Sequence, residues 1–298
     1  MTSQGLTAET ASRPKVSFEI FPPKTPHADA QLWEALARLA PLSPQFVSCT
    51  YGAGGSTQAT TRGVIERLLT QTGMAPAAHL TCIGSSKEDI DAIVRDYWDL
   101  GLRHIVSLRG DPPQGASGGG VLSSGYQNAT ELTAAIAKIA PFELSVAAYP
   151  EKHPESGSLQ HDVEVLKAKQ DAGATRALTQ FFYEVDSFYR YVDLARKAGV
   201  TIPIVPGVMP IASFKGLTRM AQSCQVAVPA RLHALFEGLD DDPQTRGLIA
   251  VHLAAEMSAD LISQGFDELH IYTLNRADLT YALCRILGLE DASIGAAQ

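Results

Sequence analysis

The sequence predicts an α/β protein folded as a single (β/α)8 TIM barrel with extra helices between strands 7 and 8. Eight short apolar runs alternate with longer amphipathic runs, a pattern typical of strands that each lead into a helix. The length of 298 residues suits one barrel of about 250 residues with additions. A doubly wound sheet is the alternative, but it usually has fewer strands and a Gly-x-Gly-x-x-Gly turn. The stretch "GAGGST" lacks the last glycine of that turn.

Each predicted strand is a run of six to eight residues, mostly Val, Ile, Leu, Phe and Ala. In chain order the runs are VSFEIF (16–21), FVSCTY (46–51), AHLTCI (78–83), HIVSLRG (104–110), ELSVAAY (143–149), RALTQFF (176–182), IPIVPGVM (202–209) and ELHIYTL (268–274). Because side chains alternate between the two faces of a strand, Ser17, Glu19 and Phe21 share one face of the first run. Glu19 is therefore either exposed on an edge strand or directed inward.

Amphipathic patterns between these runs predict helices, with examples at 30–39, 58–70, 87–100 and 159–172. The last example ends at Gly173, a residue typical of helix C-termini. The longest gap, between the seventh and eighth runs, contains helical patterns at 214–224, 231–236 and 245–263. We expect one domain over residues 15–290, between a flexible N-terminal tail (1–14) and a short C-terminal tail (291–298).

The composition of the chain argues against several classes of protein. A net charge of −8 without a basic cluster argues against nucleic acid and anionic membrane surfaces as partners. No run approaches the roughly 18 apolar residues of a membrane span, and the polar N-terminus has no signal-peptide core. We therefore expect a cytoplasmic protein. No metal site is expected, because histidines of the predicted strands such as His79 and His270 form no His-x-His pair and the cysteines form no Cys-x-x-Cys pair.

Chemistry in a (β/α)8 barrel gathers at the C-terminal ends of the strands. Several predicted strand ends carry polar side chains, while His79 lies early in the third run: Glu19, Thr50, Arg109, Asp111, Tyr149, Gln180 and Arg276. So many polar groups on one rim predict a functional site and give Glu19 a reason to face inward. A Schiff-base lyase is disfavoured because no predicted strand carries a lysine.

A cofactor enzyme is favoured by two further features. The loop at 110–128 is long and rich in glycine, as cofactor loops often are, although a surface insertion is the alternative. Asp162 and Lys169 are seven residues apart on a predicted helix and share one face, where they could hold ribose and diphosphate groups. Ordinary solvated charges are the alternative for this pair.

Eight stretches together resemble the bacterial type of methylenetetrahydrofolate reductase in order and spacing. They are "SFEIFPPK", "VSCTYGAGGST", "HLTC", "SLRGDPP", "VAAYPEKHPE", "LKAKQDAGATRALTQFFY", "IVPGVMPI" and "IYTLNRADL". The resemblance implies a (β/α)8 barrel that binds FAD noncovalently and interconverts 5,10-methylenetetrahydrofolate and 5-methyltetrahydrofolate. It also implies a place in one-carbon metabolism and methionine biosynthesis, a reduced nicotinamide as electron donor, and a homo-oligomeric state.

The resemblance assigns roles residue by residue. Glu19 is the implied general acid, which protonates N10 of the folate so that the ring opens to an N5 iminium and accepts hydride from flavin N5. Asp111 would favour the iminium and bind the pterin, while Gln180 and Arg276 would contact the substrate. Tyr149 would pack on the isoalloxazine. The implied FAD contacts are Thr50, Tyr51, Ala53, His79, Arg109, Gly110, Asp111, Ala129, Tyr149, His153, Asp162 and Lys169.

The sequence also departs from the family pattern. Gly216 stands where the family has glutamine and Met220 where it has phenylalanine, and both family residues touch nicotinamide or folate. Asn128 replaces a tyrosine beside the FAD, and Val165 and Ala168 replace polar neighbours of Lys169. These differences put NADH or NADPH as the donor, and the direction of net flux, in doubt. Two other functions remain: another FAD-dependent TIM-barrel oxidoreductase similar to proline dehydrogenase, or a folate- or flavin-binding protein with little turnover.

Overall fold

The strands form one closed parallel sheet. The computed structural model describes residues 13–52, 57–110 and 124–292. In this part of the chain each strand pairs with the next, and the eighth pairs with the first. The strands are β1 (Lys15–Ile20), β2 (Val47–Cys49), β3 (Pro76–Thr81), β4 (His104–Leu108), β5 (Glu143–Ala148), β6 (Arg176–Phe181), β7 (Ile204–Val208) and β8 (Glu268–Tyr272). All eight predicted strands are present, and the (β/α)8 prediction is confirmed.

Helices follow the strands around the outside of the barrel. They are α1 (Pro26–Leu39), α2 (Gln58–Gln71), α3 (Lys87–Leu100), α4 (Ala129–Ile139), α5 (Leu159–Asp171), α6 (Val185–Lys197), α7 (Phe214–Cys224), α8 (Ala230–Phe236), α9 (Pro243–Ser263) and α10 (Asp278–Ile286). A 3₁₀ turn, Ala40–Leu42, follows α1. The three helices α7, α8 and α9 between β7 and β8 confirm the predicted additions, with starts within two residues of the predicted ones.

Polar caps at the helix starts account for several of these boundaries. The hydroxyls of Thr25, Ser86 and Ser158 accept backbone N–H groups three residues further on, before α1, α3 and α5. Gly101 ends α3 with a φ of 101°, a left-handed conformation that favours glycine. Nearby capping residues in the sequence therefore determine where these helices begin. The helix starts in turn orient the loops at the C-terminal end of the barrel.

Two hydrophobic regions cover the sheet. The main core lies between the strands and the surrounding helices, where Phe18, Ile65 and Tyr191 are fully buried. A second cluster lies beneath α7 and α8, where Phe181 and Met209 are buried. Because these two residues stand at or just after the ends of β6 and β7, the second cluster fixes α7 over the C-terminal end of the barrel.

The seam between β1 and β8 is closed partly by side chains. Glu19 pairs with Tyr272 in the register, and the carbonyl of Glu19 accepts both the backbone N–H and the hydroxyl of Thr273, at 3.2 and 2.7 Å. The amide of Asn275 then pairs with the backbone of Phe21: its Oδ1 accepts the N–H at 2.8 Å and its Nδ2 donates to the carbonyl at 2.9 Å. Asn275 therefore extends the seam beyond the last paired strand residues.

Two local predictions need correction. β3 begins at Pro76, two residues before the predicted run, so His79 is the fourth residue of the strand and not an early one. β1 ends at Ile20, before the Pro22–Pro23 break, so Phe21 is 36% exposed and does not share the inward face with Glu19.

Some predictions concern residues that lie partly or wholly outside the described ranges. The predicted tails, 1–14 and 291–298, lie almost wholly outside the described residues, as do Ala53 and Asp111. None of the described helices is both long enough and apolar enough to cross a membrane.

Candidate active site

Glu19 points into the barrel near the C-terminal end of β1, with its side chain 11% exposed. Its Oε2 lies 3.5 Å from Nε2 of His79 on β3 and 3.5 Å from Nε2 of His270 on β8. The inward position predicted for Glu19 is confirmed, and the edge-strand alternative is wrong. The carboxyl is flanked by two imidazoles from strands on either side of β1, and only one of those strands pairs directly with it.

The imidazole of His79 is neutral at physiological pH. Burial lowers its pKa below the ordinary value, with the charge of Glu19 acting in the opposite direction and His270 adding to the decrease. Deeper in the barrel, burial lowers the pKa of His104 to about 3, and its Nε2 lies 2.8 Å from Oγ of Ser145. Because burial favours the uncharged imidazole, His79 and Glu19 approach at 3.5 Å without forming an ordinary ion pair.

Tyr272 forms the next part of the wall beside Glu19. Its hydroxyl donates to the backbone carbonyl of Thr179 at 2.8 Å, and burial holds its pKa well above the ordinary value. Gly207 makes room for the ring, because a Cβ there would come within 2.3 Å of the Thr179 carbonyl oxygen and 2.8 Å of the Tyr272 ring. Tyr272 therefore forms a fixed, uncharged wall at the C-terminal opening of the barrel.

A cleft of about 800 Å³ opens where β4 and β5 end, between the starts of α4 and α5. Seven of the predicted cofactor residues line it: Arg109, Gly110, Ala129, Tyr149, His153, Asp162 and Lys169. The charges of Glu19 and Tyr149 both act on Tyr272, so this ring is near the acid and near one residue of the cleft. Cavities of this size are typical of small-molecule and cofactor sites.

Asp162 and Lys169 are buried, with exposures of 9% and 7%, so their interpretation as ordinary solvated charges is wrong. The carboxylate of Asp162 accepts the backbone N–H of His153 at 2.9 Å, and Nζ of Lys169 donates to the carbonyl of Ala147 at 2.9 Å. Burial lowers the pKa of Lys169 to about 8, against the opposing charge of Asp162. The ammonium has further donors and little solvent, a combination that suits an anionic ligand group.

Tyr149 and His153 in the loop after β5 give the cleft an aromatic wall, and Arg109 after β4 gives it a basic one. The rings of Tyr149 and His153 pack edge to face at 4.6 Å, and burial lowers the pKa of His153, with Arg109 adding to the decrease. Arg109 itself pairs with Glu155. Gly110 has a φ of 87°, and a Cβ there would lie 2.8 Å from Cβ of Thr81, so only glycine fits this turn.

Four other predicted site residues do not line the cleft. Thr50 and Tyr51 follow β2, outside the lining of the cleft; Thr50 donates its backbone N–H to the carbonyl of Ile20 beside Glu19. Gln180 is half-buried, and its Oε1 accepts the backbone N–H of the next residue at 3.1 Å. Arg276 is exposed.

Three residues near the acid were missed as site residues: Ser17, His270 and Tyr272. The signal was present, because strand alternation places Ser17 on the face of Glu19, and His270 and Tyr272 on one face of β8. Oγ of Ser17 lies 2.7 Å from Nδ1 of His270, and the rings of His270 and Tyr272 meet edge to face at 5.5 Å. Recognising them required the knowledge that β8 closes against β1.

The fold and this site together define a (β/α)8-barrel protein with an inward carboxyl beside a cofactor-sized cleft at the C-terminal rim. The model of the methylenetetrahydrofolate reductase family matches residues 6–288. The 5,10-methylenetetrahydrofolate reductase of Escherichia coli K12 is 43% identical over 282 residues, covering 95% of this chain and 93% of that protein. That of Pectobacterium carotovorum is 44% identical with the same coverage. The chain belongs to the methylenetetrahydrofolate reductase family, a family of enzymes.

Among solved structures, the barrel is similar to an uncharacterized protein from Clostridium thermocellum that binds two copies of 5-methyl-5,6,7,8-tetrahydrofolic acid. The TM-score is 0.62, the sequence identity is 13%, and the similarity covers 97% of each chain. At this identity the likeness shows a shared fold.

Proposed function

We propose that this protein is an FAD-dependent oxidoreductase that interconverts 5,10-methylenetetrahydrofolate and 5-methyltetrahydrofolate, with Glu19 as the general acid. The observation that carries the proposal is the Glu19 carboxyl, held inward between two imidazoles at the mouth of the barrel. Family membership supports the reaction and argues against the alternative similar to proline dehydrogenase. When bound, FAD would supply a two-electron carrier that takes or gives hydride.

The residues of the cleft fit FAD. Lys169 offers a buried ammonium with unused donors, and Arg109 adds a second positive charge, so both suit the diphosphate. Tyr149 supplies a flat apolar surface for the isoalloxazine. Asp162 orders the loop at His153 and keeps acceptor positions for a ribose hydroxyl. The substitutions Val165 and Ala168 leave part of the lining apolar without closing the cleft.

Glu19 would transfer its proton to N10 of the folate. A carboxyl buried among neutral groups is suited to this task, since general acids work best when they reach the substrate still protonated. Gln180 at the end of β6 would hydrogen-bond the pterin after its side chain releases the neighbouring backbone N–H. Asp111 and Ala53 remain proposed contacts outside the described residues, and Arg276 would have to turn inward to reach substrate.

The first experiment tests the cofactor. The purified protein should carry FAD at up to one per subunit, released on denaturation and identified by chromatography. Anaerobic 5-methyltetrahydrofolate should bleach its absorbance, because the folate would pass electrons to the flavin. FMN in place of FAD, or a colourless protein that does not take up FAD, would contradict the proposal; FAD that folate never reduces would favour a binding protein with little turnover.

The second experiment tests the acid. Glu19→Gln keeps the shape and most hydrogen bonding of the side chain but has no acid proton to give. Folate turnover should fall by at least about 10²-fold, the usual contribution of general acid catalysis. FAD content and the reduction of the flavin by any nicotinamide should be largely spared, because that half-reaction needs no acid at N10. Equal loss in both half-reactions would refute the role.

The electron donor is the finer part of the proposal. Gly216 and Met220 lack the side chains that the family uses toward nicotinamide and folate, and both lie on α7. We therefore expect 5-methyltetrahydrofolate to reduce the flavin readily, and NADH and NADPH to do so poorly. A cytoplasmic location and a homo-oligomeric state stay predictions beside this proposal.

A further inference from the structure

The cleft beside β4 and β5 carries more carboxyl groups than cationic groups. Among the described residues of its lining, the carboxyl groups belong to Glu131, Glu155, Asp162 and Glu164, and the cationic groups to Arg109 and Lys169. Burial lowers the pKa of His153, with the charge of Arg109 acting in the same direction, so this imidazole adds no charge at neutral pH. An anionic ligand therefore has to compete with carboxylates for the cations of the cleft.

Glu155 is in direct contact with one of these cations. Its Oε2 accepts a hydrogen bond from Nη1 of Arg109 at 2.5 Å. This charge-assisted bond lowers the pKa of Glu155, so the side chain is a carboxylate at neutral pH. Nε of Arg109 donates to the carbonyl of Gly110 at 3.3 Å, which leaves Nη1 as the guanidinium nitrogen directed toward Glu155.

The loop that carries Glu155 is held by bonds that do not involve its carboxylate. The backbone N–H of Glu155 donates to Nδ1 of His153 at 3.1 Å, and the N–H of His153 donates to Asp162 at 2.9 Å. Nζ of Lys152 donates to the carbonyls of His153 and Ser156 at 3.2 and 2.8 Å. A substitution that removes only the carboxylate therefore changes a charge and leaves these loop contacts in place.

The ion pair is exposed enough for a ligand to displace it. The side chains of Arg109 and Glu155 are 32% and 54% exposed, and exposed ion pairs are worth little because water and salt screen them. A diphosphate presents several oxygens, and phosphate oxygens bind an arginine through two parallel hydrogen bonds. Such a ligand can take Nη1 from Glu155, but it then lies beside a carboxylate of its own sign of charge.

We propose that Glu155 competes with the diphosphate of the cofactor for Arg109 and thereby limits the affinity of the cleft for FAD. This inference rests on the proposed function, which makes FAD the ligand. Glu155 acts through Arg109 and through its charge. Removing the carboxylate should therefore tighten binding, whereas removing a residue that only supports the loop would weaken it.

Glu155→Gln tests the direction of the effect. The FAD-loaded full chain is diluted, and free FAD is measured after rapid ultrafiltration. The dissociation constant should be about three- to tenfold lower in the variant, because the diphosphate no longer displaces an ion pair or faces a carboxylate. Unchanged or weaker FAD binding would overturn the proposal.

Competition by fragments of the cofactor tests the dependence on charge. ADP and adenosine are each added to the FAD-loaded chain, and the concentration that releases half of the FAD is measured. The ratio of these concentrations, adenosine over ADP, cancels any difference in FAD affinity between variants. It should rise about three- to tenfold in Glu155→Gln, since only ADP carries the diphosphate. An unchanged ratio would contradict a competition for Arg109.

Glu164→Gln is the matched control. Glu164 lines the same cleft and is 63% exposed, but its described partner is His161, whose Nδ1 lies 3.8 Å from Oε2. Its FAD affinity should stay within about twofold of that of the unsubstituted protein. An equal gain in Glu164→Gln and Glu155→Gln would mean a general effect of charge in the cleft and would refute the proposal.

A double-mutant cycle tests whether Glu155 acts through Arg109. In the Arg109→Met background, the further change Glu155→Gln should alter FAD affinity by less than about twofold, because no guanidinium is left to compete for. A gain as large as in the unsubstituted background would overturn the proposal. A chain that bound no FAD at all would contradict the proposed function, whereas FAD bound equally by every variant would contradict only this inference.

Discussion

Lys169 is a charged side chain whose burial has a cost in folding free energy. Its ammonium is buried, and burial lowers its pKa from the ordinary 10.5 to about 8. The unfolded chain binds this proton up to pH 10.5, and the folded chain releases it near pH 8. The buried charge therefore costs about 3 kcal/mol of folding free energy below pH 8, and the cost disappears as the pH rises toward 10.5.

Lys169→Met tests this account. At pH 7 the variant without FAD should be at least as stable toward urea as the unsubstituted protein, because a thioether carries no desolvation cost. Its advantage should shrink between pH 8 and 10.5, where the unsubstituted protein gains stability. FAD affinity should fall at least tenfold with the loss of a charge-assisted hydrogen bond. A loss of stability at pH 7 that is independent of pH would contradict the assignment.

The site residues differ in how far the sequence could predict them. Glu19 and Lys169 were predictable, because a strand end and a spacing of seven residues on a helix are local patterns. The contact between Glu19 and His79 was not, since it crosses the barrel interior between strands that are not neighbours. Arg276 was placed at a strand end, but the left-handed turn at Leu274 and Asn275 directs the chain so that Arg276 is exposed.

Helix α7 carries two of the residues, Gly216 and Met220, that we expect to depart from the family pattern. Gly216 lies in its first turn and donates its backbone N–H to the cap at Ser213, and Met220 packs on the cluster beneath it. A Cβ on Gly216 would meet Ser213 at 3.4 Å, an ordinary contact that needs little movement. The helix can therefore accept the family's side chains without a change of backbone.

The double variant Gly216→Gln with Met220→Phe should improve reduction of the flavin by NADH or NADPH. A regained hydrogen bond and a flat ring are each worth about 0.5–1.5 kcal/mol, or about 1–3 kcal/mol together, so the gain should be roughly 5- to 150-fold in apparent affinity. Anaerobic stopped-flow absorbance measures it. Gly216→Ala is the control, since it adds helix propensity without a polar side chain; an equal gain in that variant would argue against a nicotinamide contact.

Element boundaries were predicted best where capping residues mark them. The range of α7 matches its helical pattern at both ends, because Ser213 caps its start. The start of β3 was missed because the run was read from its larger apolar side chains, whereas the strand begins at Pro76 and Ala77. Proline is tolerated as the first residue of a strand, where its missing N–H leaves no internal bond unmade.

The closed barrel depends on its seam, and Asn275 tests that dependence. Asn275→Ala loses two hydrogen bonds to the Phe21 backbone and places a Cβ residue at a φ of 57° without the local bonding that asparagine offers. Unfolding free energy from urea titration should fall by about 2–3 kcal/mol. Asn275→Gly keeps the backbone freedom and loses only the bonds, so it should be less destabilised. Equal, negligible effects would show that the seam does not need this side chain.

The seam between β1 and β8 also determines the order in which the parts of the site are synthesised. During synthesis Glu19 leaves the ribosome long before His270, Tyr272 and Thr273, its neighbours across the seam. For most of its synthesis the chain therefore carries Glu19 without the neighbours that β8 supplies. A nascent chain arrested before residue 268 has seven strands and an open edge at β1, so any quality control that recognises unpaired strand edges would meet this enzyme before it has an active site.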